Sequence, residues 1–157
     1  MKRPAVLFVC LGNICRSPLA EAAFRREALT HGLDAIADSA GTGGWHAGEP
    51  PHPRARDVAL RHGVDIASLR ARQIHRDDFT RFTHVLALDR SNLADLERIR
   101  PKGSEAHLSL LNAFVPGKSG QDVLDPYYGE MPEFETAWRD VSEAAIHLVR
   151  HLLNGIR

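Results

Sequence analysis

The stretch "VLFVCLGNICRSPLAEAAF" (residues 6–24) holds both cysteines of the chain, Cys10 and Cys15. An apolar run ends at Cys10, crosses Gly12-Asn13, reaches Cys15 and Arg16, and continues into Ser17-Pro18. Residues 5–9 read as a short strand, continuously apolar and therefore buried on both faces. Ser17-Pro18 opens a helix: Ser is a good cap, Pro suits the first turn, and Glu21 favours the positive end. That helix carries Leu19, Ala22, Ala23 and Phe24 and stops near Gly32.

Further strands are expected at residues 34–39, 84–88 and 106–111, and helices at 54–62, 91–100 and 133–154. In the last helix, Val141, Ala145, Leu148 and Leu152 form an apolar stripe at helical spacing. Residues 40–53 and 116–131 are Gly/Pro-rich loops. Strands alternating with helices predict an α/β chain, residues 1–157 as a single domain, with a parallel sheet covered on both faces.

The totals restrict function. Lys plus Arg (20) balances Asp plus Glu (20), which argues against nucleic acid or a membrane surface as partner. Two cysteines in 157 residues do not make a disulfide framework, so a reducing, cytoplasmic setting is expected. No apolar run approaches the ~20 residues of a membrane span. Lys2-Arg3 and Leu7-Phe8-Val9-Cys10 imitate a secretion signal, but bulky Phe8 and Val9 stand where small residues are wanted.

Ligands of such a sheet sit beyond the carboxyl ends of its strands, where Cys10 lies. Leu11, Gly12, Asn13, Ile14, Cys15 and Arg16 form the first strand-to-helix loop. Its backbone N–H groups and the helix's positive end make a nest for an anion. Gly12 and Asn13 tolerate the left-handed angles that a tight ring of donors needs. Arg16 adds a fork for two phosphate oxygens. The same dipoles and guanidinium favour thiolate over thiol at Cys10. A thiolate beneath a bound phosphate is an in-line nucleophile.

With Val9 ahead of it and Ser17-Pro18 behind, this segment resembles the V-C-x-G-N-I-C-R-S-P signature of the low-molecular-weight protein tyrosine phosphatases. The resemblance spans nearly the whole chain: residues 38–42 ("DSAGT") with Trp45-His46, residues 71–74 ("ARQI"), Leu88-Asp89, Ser91-Asn92-Leu93 and Asp125-Pro126-Tyr127-Tyr128. It implies a phosphotyrosine phosphatase I-like fold, a four-stranded parallel sheet with helices on both faces, and no metal or other cofactor. It also implies Cys10 as nucleophile, Arg16 and the loop from Leu11 to Ser17 as phosphate site, and Asp125 as general acid. Many members carry His about where Leu69 stands, supporting the loop asparagine, so the resemblance leaves the bracing of Asn13 open.

The remaining site residues carry two readings each. Asp125 also suits a turn, because Asp-Pro is a common turn starter. Ser17 can cap the helix or hydrogen-bond the Cys10 thiolate. Trp45, Tyr127 and Tyr128 sit in loops, off core spacing, and are candidate walls of a slot for a phenyl ring. Cys15 is either a small side chain lining the loop or a redox partner for Cys10. Expected partners are a phosphotyrosine-containing protein and phosphate ion, with a tyrosine kinase as a further candidate; the chain itself is expected to be a monomer or weak dimer.

Rival readings fail on particular residues. Arsenate reductases of this fold relay electrons through two downstream cysteines, and none follows Cys15. Protein-arginine phosphatases of this fold tend to carry Thr where Ile14 stands. Gly117-Lys118-Ser119 imitates half of a nucleotide-binding loop, but Asn112 replaces its first glycine. Gly41-x-Gly43 lacks the third glycine of a dinucleotide fingerprint, having His46 there. Glu143, His147 and His151 repeat on the last helix without the further ligand that a zinc site wants. A phosphopeptide-binding module without turnover would not need Cys10, Arg16 and Asp125 together.

Overall fold

Every residue of strand β1 (Ala5–Cys10) is buried, as an unbroken apolar run requires. In the computed structural model, which describes residues 3–156, this strand lies in the interior of the sheet. Lys2, the basic start of the signal-like stretch, lies outside the described residues. After β1 come α1 (Arg16–Thr30), β2 (Ile36–Gly41), α2 (Pro53–Arg61), α3 (Asp78–Arg81), β3 (His84–Ala87) and α4 (Arg90–Ile99). The chain continues through β4 (His107–Leu110) and a 3-10 turn (Leu111–Phe114) to α5 (Met131–Ile156).

The four strands form one parallel sheet in the order β2-β1-β3-β4. The chain thus leaves β1 for one neighbour, β2, and later crosses to the other, β3. This is the switch point at which parallel sheets hold ligands, and Cys10 stands at its edge. Strand alternation sends β1 into two cores. Val6, Phe8 and Cys10 pack with α1 and α5, while Ala5, Leu7 and Val9 pack with α3 and α4. Phe8 meets Phe24 of α1 with ring centroids 5.6 Å apart. Each such fully buried side chain contributes about 1.5–3 kcal/mol.

Helix α1 is buried along its entire first half, from Arg16 to Phe24, so it carries no simple apolar stripe. Val141, Ala145, Leu148 and Leu152 of α5 are all buried, as their spacing predicts. Other details depart from local signals. β2 ends two residues later than expected, because pairing with β1 runs on to Cys10 opposite Gly41. α3 has no sequence forecast: the buried Asp78 carboxylate organises it by accepting the His75 N–H at 2.7 Å. α1 starts at Arg16, and its Cys15 cap makes no side-chain hydrogen bond.

Candidate active site

The loop between β1 and α1 is tied down through its carbonyls. Cys10 O accepts the Thr42 N–H at 2.9 Å, Leu11 O that of Gly43 at 2.9 Å, and Ile14 O that of His52 at 2.8 Å. Gly41 permits this contact: a Cβ there would stand 2.7 Å from Leu11 O. Among the described residues, no protein acceptor takes the loop N–H groups from Leu11 to Arg16. Those groups remain available as a cluster of donors at a helix N-terminus, which suits an anion.

Asn13 adopts the left-handed conformation, φ 59°, that the tight loop demands. Its side chain is held at both ends. Asn13 Oδ1 accepts the backbone N–H of Arg72 at 3.0 Å, and Nδ2 donates to Ser17 Oγ at 2.8 Å. Leu69 takes no part in this bracing; Arg72 supplies it. Arg72 is itself gripped by Asp38 and Asp78, each at 3.0 Å.

This arrangement sets a direction for the next hydrogen bond. A backbone N–H can only donate, so Oδ1 must face Arg72 and the amide NH₂ must face Ser17. Ser17 Oγ, already accepting, turns its hydrogen toward Cys10 Sγ, 3.0 Å away. Ser17 therefore serves the sulfur rather than capping α1.

Arg16 is buried, and burial opposes its charge. Cys10, the Asp89 hydrogen bond and Asp125 outweigh that penalty and hold the guanidinium above its ordinary range. Nη1 donates to Asp89 Oδ2 at 2.7 Å and to Val123 O at 2.8 Å, and Nη2 lies 3.7 Å from Asp125 Oδ2. Asp89, just past β3, also caps α4 by accepting the Asn92 N–H at 2.7 Å. Its place at a strand's carboxyl end was the available sequence signal, the same one that singles out Cys10.

A cavity of about 240 Å³ opens over the sulfur. Cys10, Cys15 and Arg16 form its floor with Leu11, Gly12 and Ile14. Trp45 and His46 form one wall, and Asp125, Tyr127 and Tyr128 the other. Asn13 and Ser17 stand behind this lining and are buried. Asp125 is 46% exposed, and its Oδ1 accepts the Tyr127 N–H at 3.0 Å. Tyr127 packs edge-on against Tyr128 (4.8 Å) and His52 (5.7 Å), and His52 stacks on Phe134 (5.1 Å). His46 and His52 thus join the site without having been assigned a role from sequence. Both cysteines are free thiols. Burial pushes the Cys15 thiol up, with Cys10 and Asp125 adding to the shift and Arg16 opposing it, so Cys15 stays protonated.

The other motifs have structural roles. Lys118 pairs with Glu143 at 2.8 Å, joining the imitation nucleotide loop to α5. His151 packs on Phe114 with centroids 5.0 Å apart. Gly43 lies directly beneath the Trp45 ring, leaving no space for a Cβ.

A family model for the low molecular weight phosphotyrosine protein phosphatases matches residues 5–155. The chain belongs to that family. Among phosphatases of this family, it is 45% identical to the Schizosaccharomyces pombe low molecular weight phosphotyrosine protein phosphatase over 131 residues, 82% of this chain and 83% of the relative. The crystal structure of YfkJ from Bacillus subtilis superposes with a TM-score of 0.92 at 36% identity, covering 100% of this chain and 99% of that one. DARP, a Drosophila arginine phosphatase, shares the phosphatase fold with a TM-score of 0.88 at 32% identity, covering 94% and 96% of the two chains.

Proposed function

We propose that this phosphatase hydrolyses phosphotyrosine, and small aryl phosphates, through a cysteinyl-phosphate intermediate formed on Cys10. One observation carries the reading: the Cys10 sulfur, hydrogen-bonded by Ser17, shares a single aromatic-walled cavity with Arg16 and Asp125. The phosphate sits on the loop N–H groups of residues 11–16 and on the outer edge of Arg16, which Asp89 and Val123 O hold in place. These preformed dipoles also stabilise charge on the transferring oxygens. The phenyl ring lies between Trp45 and Tyr127 with Tyr128 at the mouth.

Cys10 Sγ attacks phosphorus, and the bond from phosphorus to the tyrosyl oxygen breaks. Asp125, as general acid, gives that oxygen its proton, so tyrosine leaves neutral. Asp125, now a carboxylate, takes a proton from a water that attacks the cysteinyl phosphate. The sulfur–phosphorus bond breaks, inorganic phosphate departs, and Cys10 leaves as a thiolate that accepts the Ser17 hydrogen bond. Ile14 presents an apolar side chain to the slot, which favours a phenyl ring over a guanidinium. The two free thiols suit a reducing, cytoplasmic setting.

The test compares phosphotyrosyl, phosphoseryl and phosphoarginyl peptides, with arsenate as a further substrate, under reducing conditions. Phosphotyrosine turnover is expected to dominate and to vanish in Cys10→Ser, which still binds phosphate. Near wild-type turnover in Cys10→Ser, or preference for phosphoarginine, overturns the reading.

A further inference from the structure

We propose that the hollow on the far side of Trp45 is a second substrate subsite, which takes an apolar side chain flanking the phosphotyrosine. This rests on the phosphatase reading above and extends it from the phosphorylated residue to its neighbours in the polypeptide.

Exposed apolar side chains are concentrated here. Of the nine large apolar side chains exposed among the described residues, five line either the catalytic slot or this hollow: Leu11, Trp45, Ile99, Tyr127 and Tyr128. Trp45 is 71% exposed, Leu11 45% and Ile99 37%. Leaving so much apolar surface in water at one place marks an interaction site.

The hollow adjoins the slot. Leu11 and Trp45 line both, so a single indole divides them. Its volume is about 320 Å³, against about 240 Å³ for the slot. The indole lies on Gly43, whose lack of a Cβ leaves room for the ring. An extended peptide advances about 3.3–3.6 Å per residue. One or two residues therefore carry the chain over the indole while the phosphotyrosine stays in its slot.

Charge decides the occupant. The far rim is the C-terminal part of α4, where Arg98 forms an ion pair with Asp95. Each cancels the other, so neither an acidic nor a basic side chain is favoured. What remains is the apolar surface of Leu11, Trp45 and Ile99, which an aliphatic or aromatic residue covers.

The experiment uses the full chain and a phosphotyrosyl peptide otherwise made of Gly and Ser. One Leu is moved through the positions beside the phosphotyrosine, and kcat/KM is compared with the all-Gly/Ser peptide. At one or more positions Leu is expected to raise kcat/KM about tenfold, as burial of one such side chain gives. Ile99→Glu is expected to abolish that gain, and Ile99→Ala to reduce it. Both variants should hydrolyse p-nitrophenyl phosphate, which has no flanking residue, at the wild-type rate. With that rate intact, a gain absent at every position, or surviving in Ile99→Glu, overturns the subsite alone. A larger gain from Asp than from Leu overturns the apolar assignment. Wild-type p-nitrophenyl phosphate turnover that falls with rising protein concentration, but not in Ile99→Glu, assigns the hollow to a second copy and overturns the peptide subsite. Failure to hydrolyse p-nitrophenyl phosphate at all overturns the phosphatase reading itself.

Discussion

The Asn13 side-chain carbonyl accepts the Arg72 backbone N–H at 3.0 Å, while the same amide donates to Ser17 at 2.8 Å. One side chain thus joins a left-handed loop residue, the segment before α3 and the hydroxyl beside the sulfur. Replacing Asn13 by Ala removes both bonds and leaves a non-glycine residue in that conformation without its brace. A buried hydrogen bond lost this way costs about 1–3 kcal/mol. We expect kcat on p-nitrophenyl phosphate to fall at least about fivefold, the low end of that range, with weaker inhibition by phosphate. Unchanged values for both would show that the loop holds its shape without Asn13.

Ser17 Oγ lies 3.0 Å from Cys10 Sγ and turns its hydrogen toward it. That bond matters most when Cys10 departs as a thiolate. Ser17→Ala should slow breakdown of the cysteinyl phosphate by roughly tenfold or more, given about 1.5–3 kcal/mol for a hydrogen bond to a charged group. Stopped-flow traces should then show a burst of p-nitrophenol that exceeds the wild-type burst. An equal loss in the burst and the steady state would place Ser17 in the first step instead.

Asp125 stands 3.7 Å from the Arg16 fork and at the cavity wall. General acid help is worth ~10² to 10⁴ where the leaving group is poor and little where it is good. Asp125→Asn should therefore reduce turnover of phenyl phosphate far more than that of p-nitrophenyl phosphate. Parallel losses across a leaving-group series would reduce Asp125 to a turn residue.

Acid sensitivity is built into β3. Burial, then the charges of His107 and His151, push the His84 imidazole down to about 4. The unfolded chain binds that proton near pH ~6.5, so between these values it holds a proton that the folded state refuses. Stability therefore falls as pH drops from about 6.5 toward 4 and levels off below. Partial exposure screens the effect, which we place at about 1–2 kcal/mol, or roughly 3–6 °C in Tm. Thermal melts across that window should show this decline in the wild type and a flatter curve in His84→Gln. Equal slopes for the two proteins would assign the acid loss to other groups.

Chain neighbours made the proposed nucleophile legible. Cys10, Gly12, Asn13, Arg16 and Ser17 lie within eight residues, so strand, loop, anion nest and helix start could be read from one stretch. β1 was equally plain, because burial on both faces demands an unbroken apolar run. Where local patterning was weak, the reading slipped. β2 takes its end from pairing with β1, and α3 depends on the buried Asp78, whose partners lie outside the helix.

What holds the site in working order is distant along the chain. Asp89 is 73 residues from Arg16, Val123 is 107 away, and Arg72 is 59 from Asn13. Sequence alone determined which groups make up the proposed site, because their order along the backbone already puts a thiol, a loop of free amides and a guanidinium within one turn of chain. Only the tertiary structure decided what orients them, since a carboxylate, a carbonyl and an amide from separate segments converge only once both cores have packed.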